Sequence, residues 1–380
     1  MGFTFQTTPS ILVEAGGSAK IGEIFGTLGC RSVLVVTDRG VRAAGLLDRA
    51  LASLAAAGIS YSIFEDVVAD PPVAVVTSAV EAASGADGVL GLGGGSSLDV
   101  AKLVALLATG RERLDDIYGV GLAKGPRLPL VLAPTTAGTG SEVTPIAIVT
   151  TGAGEKKGVV APPLLPDWAV LDADLTLGLP TAVTAATGID AMVHAIEAYT
   201  SKRLKNPLSD ALAREALSLL GGNIRRVCQN GHDRGAREKM LFGSALAGMA
   251  FANAPVAAVH ALAYPIGGLF HVPHGLSNAM VLPHVVRFNA PYAEPLYAEL
   301  ADILVPGTRG TAAAKTADLV GALAGLAPEL GLDTQLRSAG IAAADLPRLA
   351  ADAMKQTRLL VNNPREVTEA DALAIYEQAL

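Results

Sequence analysis

The sequence predicts two domains of different class, an α/β half built on a doubly wound, mostly parallel sheet and an all-α half. Three observations carry this. The chain has 380 residues, more than one hydrophobic core usually organises, so two domains are the natural division. Its first half alternates short β-branched runs with amphipathic stretches, the pattern of a parallel sheet flanked by helices. Beyond Leu179-Pro180 those runs give way to Ala- and Leu-rich patterns of helical spacing that continue to Leu380. The domains are therefore placed at residues 1–179 and 180–380.

In the first half, strands are expected at Ser32–Thr37, Tyr61–Phe64, Gly88–Leu92, Leu128–Leu132 and Trp168–Leu171. Helices are expected at Val41–Ala57, Val73–Ala83 and Ser96–Ala108, each starting beside Gly, Pro, Ser or Asp. Met1–Gly16 reads as alternating, strand-like residues. In the second half, a helix over Thr187–Thr200 and turn signals at Asn206-Pro207, Asn230-Gly231, Val272-Pro273 and Asn363-Pro364 describe a helical bundle.

Composition narrows the function. With 51% hydrophobic and 17% charged residues, the chain is neither disordered nor fibrous. Its net charge of −7, with no long run of Lys or Arg, gives phosphate-backbone binding little support, so no nucleic-acid partner is expected. No basic start leads into an apolar signal core, so a cytoplasmic protein is expected. Cys30 and Cys228 lack the spacing of zinc ribbons or redox pairs and read as reduced thiols. The span Leu241–Phe270 lacks Asp, Glu, Lys and Arg, but Asn253, Pro255, His260 and Pro265 interrupt it; it reads as buried helices, and no membrane partner is expected.

The segment from Gly91 to Asp99, containing Gly93, Gly94, Gly95 and Ser96, joins a predicted strand directly to a predicted helix. Glycines let backbone approach a ligand closely, and free amides at a helix start favour an anion, so a pyrophosphate would fit. A tight structural turn reads equally well from the glycines alone. A second segment, Pro134–Glu142, offers Thr135, Thr136, Thr139 and Ser141 after another predicted strand, again at the end of a parallel sheet where such folds bind ligands. Asp38 ends the strand Ser32–Thr37. There it could accept hydrogen bonds from the ribose of NAD and repel the extra phosphate of NADP, or cap the following helix. The acid precedes the glycines, the reverse of the ordinary Rossmann order, which points to a different doubly wound topology.

Asp190 and His194 are four residues apart on a predicted helix and share one face, a pair that alone is more often a plain hydrogen bond. The stretch from His260 to His274 adds His260, His271 and His274 in apolar sequence, where an unpaired imidazole is costly and a shared partner is expected. Any one of them could instead be satisfied by backbone. Imidazoles and a carboxylate without thiolate suit Fe²⁺ or Zn²⁺. Such a cation could polarise the oxygen of an alcohol or carbonyl substrate.

With both clusters assembled, the sequence resembles the iron-containing alcohol dehydrogenases. The carriers are GLGGGSSLDVAK from Gly91, PTTAGTGSEVT from Pro134, ATGIDAMVHAIEAYTS from Ala186 and HALAYPIGGLFHVPHGLSNAMVLPHV from His260. The likeness covers essentially the whole chain. It implies a Rossmann-like N-terminal domain and a helical C-terminal domain of the dehydroquinate synthase-like kind, with catalysis in the cleft between them. It implies Asp190, His194, His260 and His274 as metal ligands. Gly94, Gly95 and Ser96 would meet the pyrophosphate, Thr135, Thr136 and Thr139 would line the cofactor groove, and Asp38 and Lys156 would help fix NAD. Tyr264 stands where many members carry a histidine thought to move the alcohol proton. An unperturbed phenol ionises near pH ~10, so the proton path differs, with His271 the alternative. The implied activity is hydride transfer between NAD(H) and a small alcohol, aldehyde or ketone, in a homodimer or larger homo-oligomer. Two competing readings are a non-redox lyase using the same fold and metal, as dehydroquinate synthase is, and a non-catalytic nucleotide-binding protein. The lyase would want a pocket rich in Lys and Arg, and Leu241–His284 contains neither.

Overall fold

Alternate residues of the central strands belong to different hydrophobic clusters, which is the physical signature of a sheet covered on both faces. In the computed structural model, which describes residues 2–152 and 155–380, Leu34, Val36, Val89, Leu130 and Leu132 pack into one cluster. Their neighbours Val33, Val35, Leu90, Leu92, Val131 and Ala133 pack into another. Met1, where the strand-like segment Met1–Gly16 begins, lies outside the described residues. The chain forms two compact units, Gln6–Gly178 and a second made chiefly of Leu179–Leu380.

The first unit contains strands β1 (Ser10–Val13), β2 (Ser32–Val36), β3 (Ser60–Phe64), β4 (Gly88–Gly93), β5 (Gly119–Val120), β6 (Leu130–Pro134), β7 (Ile146–Thr151), β8 (Glu155–Val160) and β9 (Trp168–Leu171). Its helices are α1 (Ile21–Thr27), α2 (Arg39–Ala43), α3 (Asp48–Ala56), α4 (Val73–Ala82) and α5 (Gly95–Leu107). The main sheet has the order β1-β9-β6-β4-β2-β3, and all its pairs are parallel. From β2 the chain steps outward to β3 and then returns across β2 to β4. The strand order therefore reverses between β2 and β4, which makes a topological switch point at their C-terminal ends. Asp38 follows β2 and the glycine run follows β4, so the reversed order of acid and glycines is a consequence of topology.

Four expectations need correction. The helix expected over Val41–Ala57 is two, α2 and α3, because Gly45 takes φ +70 and turns the chain between them. The strand expected over Leu128–Leu132 is displaced to Leu130–Pro134. Of the strand-like N-terminal segment, only Ser10–Val13 joins the sheet, at its edge against β9. A second sheet, β5-β8-β7, is absent from the predicted strands, and its β7–β8 pair is antiparallel.

The second unit is helical: α6 (Thr181–Thr200), α7 (Pro207–Gln229), α8 (Arg234–Asn253), α9 (Ala258–Phe270), α10 (His274–Leu304), α11 (Ala312–Glu329), α12 (Leu346–Ala353), α13 (Thr357–Leu360) and α14 (Glu369–Ala379). The expected turns fall between these helices. Asn206 caps α7 by accepting from Ser209 N–H, with Pro207 at the first helical position. The charge-free span Leu241–Phe270 is split between α8 and α9, which are bent by 106°. Among the described residues no single helix is long and apolar enough to cross a membrane; only that bent pair reaches the length and composition together. Most of its residues are buried in the helical unit. Cys30 is free, and burial raises its thiol to about 11, so it is held as an unreactive core group.

One glycine sets how closely α10 approaches α6. A Cβ on Gly275 would lie 2.4 Å from the carbonyl oxygen of Ala186, so only glycine allows the first turn of α10 to rest on the α6 backbone. Gly275→Ala is expected to lower stability by about 1–3 kcal/mol, read as an earlier midpoint in urea unfolding. An unchanged midpoint would show that the two helices do not touch there.

Candidate metal centre and glycine-rich loops

The three helices α6, α9 and α10 each bring one ligand atom to a common point. Asp190, His260 and His274 have ligand atoms within 4.8 Å of one another. His260 Nε2 lies 3.7 Å from Asp190 Oδ1, and His274 Nε2 lies 3.6 Å from the same oxygen. Two atoms each about 2.1 Å from one ion and about 110–120° apart are separated by roughly 3.4–3.7 Å, so this spacing suits a single first-row cation. Asp190, His194 and His260 are buried, and His274 is partly exposed. His194, one turn from Asp190 on α6, is held flat between two rings. Its centroid is 4.3 Å from Phe251 and 4.7 Å from His260.

Hydrogen bonds from outside the ligand set orient the cluster. His260 Nδ1 meets Glu197 Oε2 at 2.6 Å. An ionised carboxylate only accepts, so Nδ1 is the donor of this pair, and in the neutral ring Nε2 is then the acceptor. The Asn278 amide nitrogen donates to Asp190 Oδ1 at 2.6 Å and lies 3.3 Å from Nε2 of both His260 and His274. Asn278 Oδ1 beside them is buried with no hydrogen-bond partner. A cation fits such a donor set. Burial works to raise the Asp190 carboxyl, but the fields of His194, His274 and His260, with the Asn278 hydrogen bond, outweigh it and hold the group below its ordinary range.

Sequence reasoning missed Glu197, Asn278 and Phe251. Glu197 follows Asp190 and His194 at the i, i+4, i+7 spacing of one helical face, a signal present in the sequence. Asn278 follows His274 by one turn in the same way. Tyr264, one turn after His260 on α9, has its ring 5.8 Å from that of His274. His271 is exposed at the end of α9, where it adopts the left-handed conformation with φ 56.

In the α/β unit the two loops are brought together. Thr135 N–H donates to Gly93 O at 2.9 Å. A Cβ on Gly95 would lie 2.7 Å from Thr139 Cγ2, so the glycine is required for the loops to touch. Thr136 stands beside Gly94, with a built Cβ there 3.8 Å away. Gly94 is the N-cap of α5 and has no side chain to cap it. The first-turn amides around Gly95 and Ser96 are thus offered to an anion. Asp38 caps α2 through Val41 N–H at 2.9 Å, and its other oxygen lies 3.4 Å from Ser97 Oγ. Helix capping is therefore one of its roles, and its second oxygen turns toward the glycine loop.

Asp99 and Ser141 join the loops to each other. Ser141 Oγ donates to Asp99 Oδ1 at 2.6 Å, and Ile148 N–H donates to Asp99 Oδ2 at 2.9 Å. Beneath them the fully buried Lys102 donates to Ser141 Oγ at 2.8 Å, Thr144 Oγ1 at 3.2 Å and Ile146 O at 2.7 Å. Burial lowers this ammonium to about 8, opposed by Asp99 and Glu142. Lys156, on β8, pairs with Asp70 at 2.7 Å.

Comparison with known proteins agrees with both units. Residues 8–173 match the family described as iron-containing alcohol dehydrogenase, and residues 184–380 match the C-terminal part of the Fe-containing alcohol dehydrogenase family. Long-chain-alcohol dehydrogenase 1 of Geobacillus thermodenitrificans is 40% identical over 358 residues, covering 93% of this chain and 90% of its own. A crystal structure of 1,3-propanediol oxidoreductase superposes with a TM-score of 0.97 at 35% identity and covers 100% of both chains. Sulfoacetaldehyde reductase from Bifidobacterium kashiwanohense, solved in complex with NAD+, superposes with a TM-score of 0.90 at 27% identity, covering 100% of this chain and 99% of its own. The chain belongs to the iron-containing alcohol dehydrogenase family.

Proposed function

We propose that this chain is an NAD-dependent dehydrogenase that uses Fe²⁺ to interconvert a small alcohol with its aldehyde or ketone. The observation that carries the reading is the convergence of Asp190 Oδ1, His260 Nε2 and His274 Nε2 from three helices at ion-binding separation. Asp190, His194, His260 and His274 would hold the cation, and the absence of thiolate suits Fe²⁺, with Zn²⁺ the alternative. The family match supports iron, and the relative solved with NAD+ supports the dinucleotide. When bound, the cation supplies Lewis acidity toward the substrate oxygen, and the dinucleotide exchanges hydride with the adjacent carbon.

The chain's own residues supply binding, orientation and the proton path. Gly93, Gly94, Gly95 and Ser96 would receive the pyrophosphate at the start of α5. Thr135, Thr136 and Thr139 would line the groove, while Asp99 and Ser141 hold its two loops together. Lys156 and Asp38 would fix the rest of the dinucleotide. Tyr264, beside His274, would hold the alcohol proton at its phenol oxygen, and the exposed His271 would exchange it with water. Leu241–His284 contains no Lys or Arg, which favours a substrate of little charge. The lyase alternative is not retained, since both family matches are to alcohol dehydrogenases.

A cytoplasmic homodimer or larger homo-oligomer completes the reading. It is supported by the two free cysteines and by β1 at the edge of the main sheet, where backbone groups can pair with a second strand.

Three experiments test these roles. Asp190→Ala is expected to lose bound iron and NADH formation from short alcohols together, and a metal-free variant that stays active would refute the site. Tyr264→Phe should shift the profile of rate against pH; an identical profile removes the phenol from the proton path. Asp38→Gly should raise the use of NADP relative to NAD by removing the carboxylate that repels the extra phosphate, and an unchanged ratio would assign Asp38 to helix capping alone.

A further inference from the structure

We propose that Glu197 is the positioning residue of the metal centre, fixing the His260 tautomer so that Nε2 is ready to bind a cation. The inference rests on the metal-site reading above and assigns a role to a side chain outside the ligand set. Glu197 is 4% exposed and lies on the same face of α6 as Asp190 and His194. Its two oxygens serve two different donors. Oε1 accepts from Val259 N–H at 2.7 Å, and Oε2 accepts from His260 Nδ1 at 2.6 Å.

The two contacts do different work. Ala257, the N-cap of α9, makes no side-chain cap, so Oε1 satisfies an amide of the first turn of that helix in its place. Oε2 fixes the ring. With the proton held on Nδ1, Nε2 has only its lone pair to offer, and it points to within 3.7 Å of Asp190 Oδ1. A hydrogen bond to an anion also makes the imidazole a stronger electron-pair donor, and the cation in turn offsets the buried negative charge.

Glu197→Gln separates these roles because it keeps length and volume. Its amide oxygen can still accept from Val259 N–H, leaving the amide NH₂ facing His260 Nδ1. That group donates, so it favours the tautomer with the proton on Nε2, which must be shed before a cation can bind. The full-length metal-free protein is titrated with Zn²⁺ against a chromophoric chelator, and its unfolding midpoint is measured alongside. Glu197→Gln is expected to weaken Zn²⁺ binding by about 10–100-fold while the metal-free midpoint stays near that of the wild type. Wild-type affinity in the variant overturns the proposal, as does a loss matched by an equal destabilisation of the metal-free protein, which a capping role alone would produce.

Wild type and Asp190→Ala in the same titration keep the two readings apart. If the wild type binds one Zn²⁺ that Asp190→Ala loses, the metal site stands and Glu197→Gln alone decides the inference. If the wild type binds none, the site itself fails. Should Glu197→Gln not fold, the ¹⁵N shifts of His260 in the metal-free wild type report its tautomer directly. A proton on Nδ1 supports the proposal, and a proton on Nε2 overturns it.

Discussion

The convergence of ligand atoms from three separate helices governs the helical unit. One carboxylate and several imidazoles are enclosed by apolar helices, where an unmatched polar group costs far more than it would in water. Asn278 and Glu197 fill part of the need from the protein side, Asn278 as a donor toward the cluster and Glu197 as an acceptor behind it. What remains, Asp190 Oδ1 with Nε2 of His260 and His274, is a ligand set suited to a first-row cation. The close packing of α6, α9 and α10, with Gly275 admitting the α6 backbone, exists to hold atoms from three separate helices at ion-binding separation.

The α/β unit presents the opposite kind of group, the N–H donors at the uncapped start of α5. Reversal of strand order between β2 and β4 leaves the ends of two parallel strands without a crossing connection above them. The loop after β4 also meets the loop after the adjacent β6, and side chains from within the unit lock the two. Lys102 has no exposed surface, yet its three acceptors all belong to Ser141–Ile146, so a buried cation draws the second loop onto α5. Asp99 completes the brace from the same helix. These two charges hold backbone and hydroxyl groups of the second loop against α5.

Much of this was legible before any coordinates, and the exceptions have physical causes. Strong periodicity made the helical half and the buried strands readable, and the family resemblance singled out Asp190, His194, His260 and His274, of which the fold brings ligand atoms of Asp190, His260 and His274 to one point. Glu197 escaped notice because a lone glutamate on a helix is ordinarily a solvated residue, and only its burial against α9 shows otherwise. The break at Gly45 was hidden inside a run of apolar spacing that continues across it, and only the positive φ ends the helix. The β7–β8 hairpin was missed because Gly152 lies in a stretch whose polar residues resemble a loop as much as a turn between strands. Asp38 read as two alternatives, and the structure shows the capping contact, with the second oxygen toward Ser97.

The two units thus apply one principle with opposite sign. Each removes competing water and competing protein partners from a small set of polar groups, then leaves those groups aligned for a ligand of complementary charge. In the helical unit, lone pairs from separate helices await a cation. In the α/β unit, N–H groups at a helix start await an anion. In both, the side chains that set the alignment lie one step behind the groups that would touch the ligand: Glu197 behind His260, and Lys102 and Asp99 behind the paired loops. Substitution at these hidden positions leaves every contacting residue in place and disturbs only its orientation. Orientation, more than residue identity, is therefore what the surrounding fold contributes to the chemistry.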